Sequence, residues 1–547
     1  MRPHLLAICL LLGCPGVDQD GDGSSPPEDC DDTNPAVFPE AAEVCDNGLD
    51  ENCDGVAPEC RRVGAITLGA EFGGWSGASP DTLFGSALAA AGDLDGDGFE
   101  DIVVGAPSDD RGASNGGSAT VLFGSADGLD PARSLTILGA FSGDVAGTSV
   151  GAGDVTGDGV TDVLIGAPGN GVRDTPVSEQ GTGLAAGAAY VVAGPFGTTA
   201  DNGGSGHAEW SLADGFPAVR GATMTDCLGR ALDVGDADGD GVDDLLVSAR
   251  CVGSYFIIHE HGNLPMVVDG PGAVGWFRGP VGEATLTDAD ALISGDEDWD
   301  RLGAAVALGP DVDGDGVREF VVGSPDYYGA DWINIEAMGR VLVFPGGPAD
   351  ALLPDDALVV GTGGCCGAER HDALATSLAV GDLDGDGRDD LLVGAPALQD
   401  FGVQGGAFGL VTPLDAAVDV ASAGRWVAMP PLDEPSAAGR AVAAGFDLDC
   451  DGVMDVAVGA PDDPRVAARA GSLSVHYGPV GDFVTLGEDA LRSMRVDAAY
   501  DNEQLGSAIV AADVDGDGCR DLLVGAPESR DNGPRSGAVR WLPSTGF

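Results

Sequence analysis

The chain has 547 residues, too many for one conventional core, so it is built either of several domains or of repeats that extend without thickening. Its 25 Lys and Arg stand against 90 Asp and Glu, a formal charge of -65 that disfavours nucleic acid phosphates and anionic lipid surfaces as partners and favours cations. An apolar share of 44% is enough to bury a core and sets it apart from acidic disordered chains.

At the start, Arg2 precedes an apolar run from Leu5 to Leu12 that is too short to span a bilayer and fits the hydrophobic region of a signal peptide. Leu11-Leu12-Gly13-Cys14 resembles a bacterial lipobox, which implies a signal peptide over 1–13 and lipid on the Cys14 thiol. A plain secretory signal and an untargeted apolar start are the alternatives. No later segment reads as transmembrane. From 14 to 60 an acidic stretch carries Cys30, Cys45, Cys53 and Cys60, where two disulfides in any of three pairings would replace a missing core. Free thiols and thiolate metal ligands are the other readings, zinc being disfavoured because no CxxC pair or histidine accompanies them.

From 61 to 547 one pattern recurs seven times. Its first carboxylates are Asp93, Asp154, Asp236, Asp311, Asp382, Asp447 and Asp513, spaced 61 to 82 residues apart. Around each lies a strand of small residues ("SALAAAGD"), an acidic loop, a β-branched strand ("DIVVGAP"), a third strand ("SATVLFG") and a fourth ("SLTILGA"). Four strands per unit without helical periodicity predict an all-β, seven-bladed propeller, with Ala and Gly nearest the axis. The last repeat lacks a fourth strand, and an orphan strand stands before the first, Val63 to Phe72. Adding that N-terminal strand to the last blade would close the ring and remove an edge.

Each loop reads D-x-D-G-D-G-x-x-D or close to it. Positions one, three, five and nine carry side-chain oxygens and position seven offers a carbonyl, a hard-oxygen set that suits Ca²⁺ better than Mg²⁺. The predicted ligands are Asp93, Asp95, Asp97, Phe99 and Asp101; Asp154, Thr156, Asp158, Val160 and Asp162; Asp236, Asp238, Asp240, Val242 and Asp244; Asp311, Asp313, Asp315, Val317 and Glu319. In the last three repeats they are Asp382, Asp384, Asp386, Arg388 and Asp390; Asp447, Asp449, Asp451, Val453 and Asp455; Asp513, Asp515, Asp517, Cys519 and Asp521. Four carboxylates cannot converge unneutralised, because each pair about 4 Å apart repels by roughly 4 kcal/mol at an effective dielectric of 20. Thr156 removes one charge from the second loop and should weaken it; Glu319 lengthens the fourth.

The residues "FGSALAAAGDLDGDGFEDIVVGAP", with Phe84-Gly85 and Gly105-Ala106-Pro107, resemble the FG-GAP repeat of the integrin alpha-chain propeller. The ending recurs at Gly166, Gly394, Gly459 and Gly525, varies at Gly323-Ser324-Pro325 and breaks at Ser248-Ala249-Arg250. The resemblance implies an integrin-like seven-bladed propeller with Ca²⁺ between strands one and two. In the N-terminal segment, Asp18, Asp20, Asp22 and Asp29 have spacings similar to a thrombospondin type 3 or EF-hand-type loop, and "EVCDNGLDENCDG" resembles the metal-binding motif of MopE-type proteins, so further metal is expected there. The alternative is an acidic tether.

Enzymatic readings are weaker. Gly147 to Gly151 ("GTSVG") has the form of a nucleophile elbow but sits in a first strand, and His259 and His261 lack a third ligand. Cys227 and Cys251 flank a hairpin and are placed to bridge it; Cys365, Cys366, Cys450 and Cys519 have no assignable partner. Loops on the face away from the acidic ones hold Trp75, Trp299, Tyr327, Tyr328, Trp332, Phe401, Arg465, Arg530 and Arg535, residue types that protein and sugar contacts use, and that also serve as rim packing. The expected function is a non-enzymatic, calcium-stabilised cell-surface or extracellular propeller recognising a protein or glycan. It should avoid nucleic acid and touch membrane only through lipid on Cys14. A structural or calcium-buffering surface protein is the alternative, with a hydrolase hidden in the channel third.

Overall fold

The computed structural model describes residues 34, 64–68, 74–130, 132–169, 185–196, 206–223, 225–252, 255–257, 266–268, 270–296, 301–312, 315–325, 339–362, 373–397, 406–410, 417–419, 425–428, 436–479, 483–485 and 493–544. Contacts divide the chain into a unit of Gly64–Leu448 with Val453–Gly546 and a second of Met1–Val63 with Asp449–Gly452 and Phe547. The propeller belongs to the first unit.

Each β-branched run after an acidic loop becomes the second strand of an antiparallel sheet. In blade one the order is Ala87–Gly92, Asp101–Ala106, Ser118–Leu122 and Arg133–Leu138, each strand paired with the next. The second strands of the other six are Asp162–Ala167, Asp244–Ala249, Phe320–Ser324, Asp390–Ala395, Asp455–Ala460 and Asp521–Ala526. All seven are buried at every position, so they read as continuous apolar runs rather than alternating ones.

The reason lies in how the sheets stack. An apolar core fills the space between each consecutive pair, such as Val103 and Val121 of blade one against Val163 and Ile165 of blade two. Six more follow around the chain, the last setting Leu523 and Val539 of blade seven against Ile102 and Val104 of blade one. An open stack of seven sheets would have six such cores; seven make a ring. The small first strands line a cavity of about 480 Å³ that includes Ala89, Gly151, Val234, Ala307 and Ala379, so the axis is where the smallest side chains go.

The Phe-Gly and Gly-Ala-Pro sequences act at the seams. The Gly147 N–H donates to the Gly166 carbonyl of its own blade at 3.0 Å, and Gly506 does the same to Gly525. A Cβ on Gly105 would lie 2.1 Å from the Gly147 carbonyl oxygen of the next blade, and one on Gly525 would lie 2.1 Å from that of Gly85. Backbone meets backbone there, including across the junction of blades seven and one, and no side chain fits.

The N-terminal strands differ from expectation. Gly64–Leu68, within the run assigned to the last blade, instead pairs in parallel with Ser493–Ala498, the fourth strand of blade six. The fourth strand of blade seven is Gly74–Ser76, antiparallel to Ala538–Leu542. The pattern is general. Gly206–Ser211 lies between the third and fourth strands of blade two in sequence, yet pairs in parallel with Arg133–Leu138 of blade one. Ala284–Thr285, Ala349–Leu352, Ala417–Asp419 and Phe483–Thr485 do likewise, so blades two to seven each lend a fifth strand that covers the previous blade's outer edge, while the sheet of blade seven has four strands among the described residues.

Cys227 and Cys251 are disulfide-bonded with Cα atoms 5.4 Å apart. Cys450 and Cys519, which the sequence left unassigned, each take part in a disulfide. No described helix is long and apolar enough to cross a membrane. His259, His261, Cys365, Cys366, Cys14 and the four cysteines of the 14–60 segment lie outside the described residues.

Candidate metal centre

Each acidic loop connects the first strand to the second and is held by its own carboxylates. In blade one, Asp93 accepts N–H bonds from Gly96 (2.7 Å), Asp97 (3.0 Å) and Gly98 (2.9 Å), while Asp95 accepts from Asp97 and Asp97 from Phe99. Positive φ at Gly96 (78°) and Gly98 (98°) turns these N–H groups inward, a conformation that glycine adopts without strain. Blades three, five and seven repeat the arrangement around Asp236, Asp382 and Asp513.

The ninth residue begins the second strand and is buried. Asp101 accepts from Leu94 N–H in its loop and from Gly124 N–H beyond the third strand, both at 2.8 Å. Asp244, Asp455 and Asp521 make the same two bonds, to Ala237 and Gly279, Leu448 and Gly478, and Val514 and Ser544. Ionisation there is opposed. Burial, partly offset by the two N–H donors and reinforced by Asp95 and Asp97, pushes the Asp101 carboxyl up to about 7. Burial does the same to Asp521, also to about 7, with Asp515 adding repulsion.

Five loops bring positions one, three and nine together, each offering an oxygen within 4.8 Å of the others. These are Asp93, Asp95 and Asp101; Asp236, Asp238 and Asp244; Asp382, Asp384 and Asp390; Asp447, Asp449 and Asp455; and Asp513, Asp515 and Asp521. Position five stays out of these sets. In blade three, Asp240 faces Arg278 (2.8 Å), which also reaches Asp238 (2.5 Å); in blade one Arg133 lies 3.6 Å from Asp97 and pairs with Asp95. In blade five Asp386 pairs with Arg388, and in blade seven Asp517 accepts from the Ser544 hydroxyl at 3.0 Å. Blade two, with Thr156 at position three, shows no such set among the described residues. In blade four Asp313 lies outside them, while Glu319 is buried and accepts from Val312 N–H at 2.8 Å.

The donor set fits a hard divalent cation. Every convergent atom is a carboxylate oxygen, and unlike-charge compensation is what the buried ninth position lacks. Cys519 is not a thiolate donor, since its sulfur is tied up in a disulfide.

Two features were missed from sequence. The loops are stitched to one another by main chain: the position-eight N–H of one blade donates to the start of the previous blade's loop. Glu100 donates to the Asp513 carbonyl (3.1 Å), Asp243 to Asp154 (3.1 Å), Arg318 to Ala237 (2.9 Å) and Arg520 to Asp447 (3.3 Å). Second, buried Asp109 takes Arg111 (2.7 Å) and the Ser118 hydroxyl (2.8 Å), and Asp463 takes Arg465 and Ser472 alike. An Asp two residues before Arg and nine before Ser, in two repeats, was the available signal.

On the face expected to carry a ligand, Trp75 is half-buried in the strand Gly74–Ser76 against the core between blades seven and one, with His207 at its edge (6.1 Å between centroids). Arg465 folds onto Asp463, Arg535 onto Glu528 (3.1 Å), and Arg530 is exposed. Trp299, Tyr327, Tyr328, Trp332 and Phe401 lie outside the described residues, as do Asp18, Asp20, Asp22 and Asp29. The serine of "GTSVG", Ser149, is a strand residue whose hydroxyl donates to the Gly229 carbonyl at 3.0 Å, as Ser377 does to Gly439 at 2.9 Å.

The FG-GAP repeat profile matches residues 84–122, 146–192, 302–341, 374–407, 438–476 and 505–540, six of the seven blades. A MopE profile described as a putative metal-binding motif matches 29–59. Among curated proteins the chain is similar to integrin alpha pat-2 of Caenorhabditis elegans, 29% identical over 245 residues, which is 42% of this chain and 18% of that protein. It is 41% identical to human integrin alpha-IIb over 181 residues, 32% of this chain and 15% of that one. It is 32% identical to rat phosphatidylinositol-glycan-specific phospholipase D over 176 residues, 30% and 20% respectively. The chain thus spans no more than about a fifth of these relatives.

Proposed function

We propose, from the premise that this chain is an FG-GAP repeat protein with an integrin-alpha-like seven-bladed propeller, that it is a calcium-stabilised recognition module working outside the cell. The observation that carries the reading is the convergence of three carboxylates in each of five loops, every loop attached to the strands that make the ring. A calcium ion there would be held by positions one, three and nine with the position-seven carbonyl, and would supply positive charge against carboxyls that burial holds near neutrality. Its role is structural, because each loop joins the first two strands of a blade.

With the loops committed to stability, recognition falls to the opposite end of the strands. The ligand is an extracellular protein or glycan, bound without catalysis. Export follows from the signal-like segment 1–13, anchorage from lipid on Cys14, and residues 14–60 form a separate metal-binding segment before the propeller of 61–547. The full chain spotted on protein and glycan arrays in calcium and again in EDTA tests this. Binding that needs calcium supports it; binding to nothing in either buffer leaves the structural or buffering role in its place.

A further inference from the structure

The first strands run from the Phe-Gly turns to the acidic loops, so the turns surround the other mouth of the axis. There a cavity of about 800 Å³ opens, lined by Leu83, Pro107 and Pro325 among others and by four arginines, Arg230, Arg250, Arg301 and Arg440. Each arginine replaces a neutral residue of the repeat. After the strand-opening Gly or Ala, five blades carry a hydroxyl or alanine, such as Ser86, Thr148 and Thr376, whereas blades three and six carry Arg230 and Arg440. Arg250 occupies the place of the Gly-Ala-Pro proline, and Arg301 the place of Leu83 or Ala373.

A chain with 25 basic against 90 acidic residues gathers four of the former at one opening. Among the described residues neither Arg230 nor Arg440 has a carboxylate partner. Burial, with Arg440 and Arg301 nearby, holds the Arg230 guanidinium below its ordinary value. The cluster is also braced: the Cys227–Cys251 disulfide joins the segments bearing Arg230 and Arg250, and with Arg301 they line a side pocket of about 370 Å³. The Arg230 and Arg440 guanidiniums facing one space repel until an anion enters, and their planar forks match carboxylate and sulfate oxygens in pairs.

We propose that this mouth binds a compact multivalent oxyanion, of carboxylate or sulfate chemistry, between Arg230 and Arg440 with Arg250 and Arg301 on its flank. The ligand is compact because the surrounding charge of -65 repels an extended polyanion, while an anion inside the mouth feels mainly the nearest groups. The proposal goes beyond the calcium reading and does not depend on it.

The test is calorimetric titration of the full chain in calcium buffer at fixed ionic strength, with tricarballylate and inorganic sulfate as probes and the neutral triamide of tricarballylate as control. One equivalent of either anion should bind and the triamide should not; which anion binds assigns the chemistry. The double variant Arg230→Ala, Arg440→Ala should weaken binding at least about tenfold, while Arg469→Ala, an exposed arginine paired with Asp462, should leave it unchanged. Relief of mutual repulsion should keep the double variant's Tm at or above the parent's. Absence of binding by both anions, equal loss in Arg469→Ala, or a Tm drop of several degrees in the double variant would overturn it, the last because the arginines would then be neutralised by the chain's own carboxylates.

Discussion

The loops of blades one and two fold alike on different chemistry. Both have a first carboxylate accepting N–H bonds from positions five and six, at 3.0 and 2.9 Å for Asp93 and 3.0 and 2.8 Å for Asp154. Both bury a ninth Asp that accepts from the loop and from the turn after the third strand, through Leu94 and Gly124 in one and Thr156 and Gly194 in the other. Among the side chains at positions one, three, five and nine only position three differs, Asp95 against Thr156. The turn therefore forms without a third carboxylate, and what Asp95 adds is a third oxygen converging on Asp93 and Asp101. The scaffold belongs to the backbone; the extra charge serves a cation.

Removing the cation from all loops at once should break the comparison most severely. Each site at 100 times its dissociation constant adds about 2.7 kcal/mol, and five together are comparable to the usual margin of a domain, so EDTA should lower Tm by about 15 °C or more in scanning calorimetry. Calcium should restore it. An unchanged melting point, with no metal by elemental analysis, would end the calcium reading.

A smaller effect concerns pH. Asp101 and Asp521 have folded-state values near 7, above the ordinary 3.8, so in metal-free protein the protonated forms favour the fold. Their contribution is complete below the ordinary value and is lost as pH rises through about 7. The EDTA-treated protein should melt several degrees lower at pH 8 than at pH 5, the direction reversing or flattening in calcium, where the carboxylates must be ionised to bind. The two melting curves side by side decide it.

The smallest and sharpest effect exchanges the two third residues. Asp95→Ala should remove one calcium from the calorimetric stoichiometry and about 2 to 3 kcal/mol of calcium-dependent stability, and Thr156→Asp should add one ion. Both variants should match the parent in EDTA to within about 1 kcal/mol, since the N–H network around positions one and nine is retained.

The acidic loops were legible because each is a local nine-residue pattern whose ligands and turn residues lie together. The ring was legible because second strands such as Asp101–Ala106 are apolar after their first residue and the small first strands have one narrow place to go. The loop-to-loop stitching at Glu100 and Asp243 was hidden, being made by main-chain groups that any residue supplies. Assigning Val63 to Phe72 to the last blade missed the edge strand that blades two to seven lend their neighbours, a rule visible only in pairings such as Gly206–Ser211 with Arg133–Leu138. Trp75 reads as a loop aromatic from sequence because the strand that carries it has three residues. The arginines of the far mouth are dispersed over blades three, four and six, and only the closed ring brings them together.

Strands Gly64–Leu68 and Gly74–Ser76 emerge from the ribosome long before their partners; Ser76 and Asp531, which share a hydrogen bond, are 455 positions apart. Synthesis must therefore run almost to the end of the propeller before either strand can dock, and a nascent chain waits with two unpaired ribbons. Loss of the final hairpin would strand Gly74–Ser76 while Gly64–Leu68 kept its seat on blade six, leaving a sticky ribbon beside an open gap rather than merely shortening the molecule by one unit.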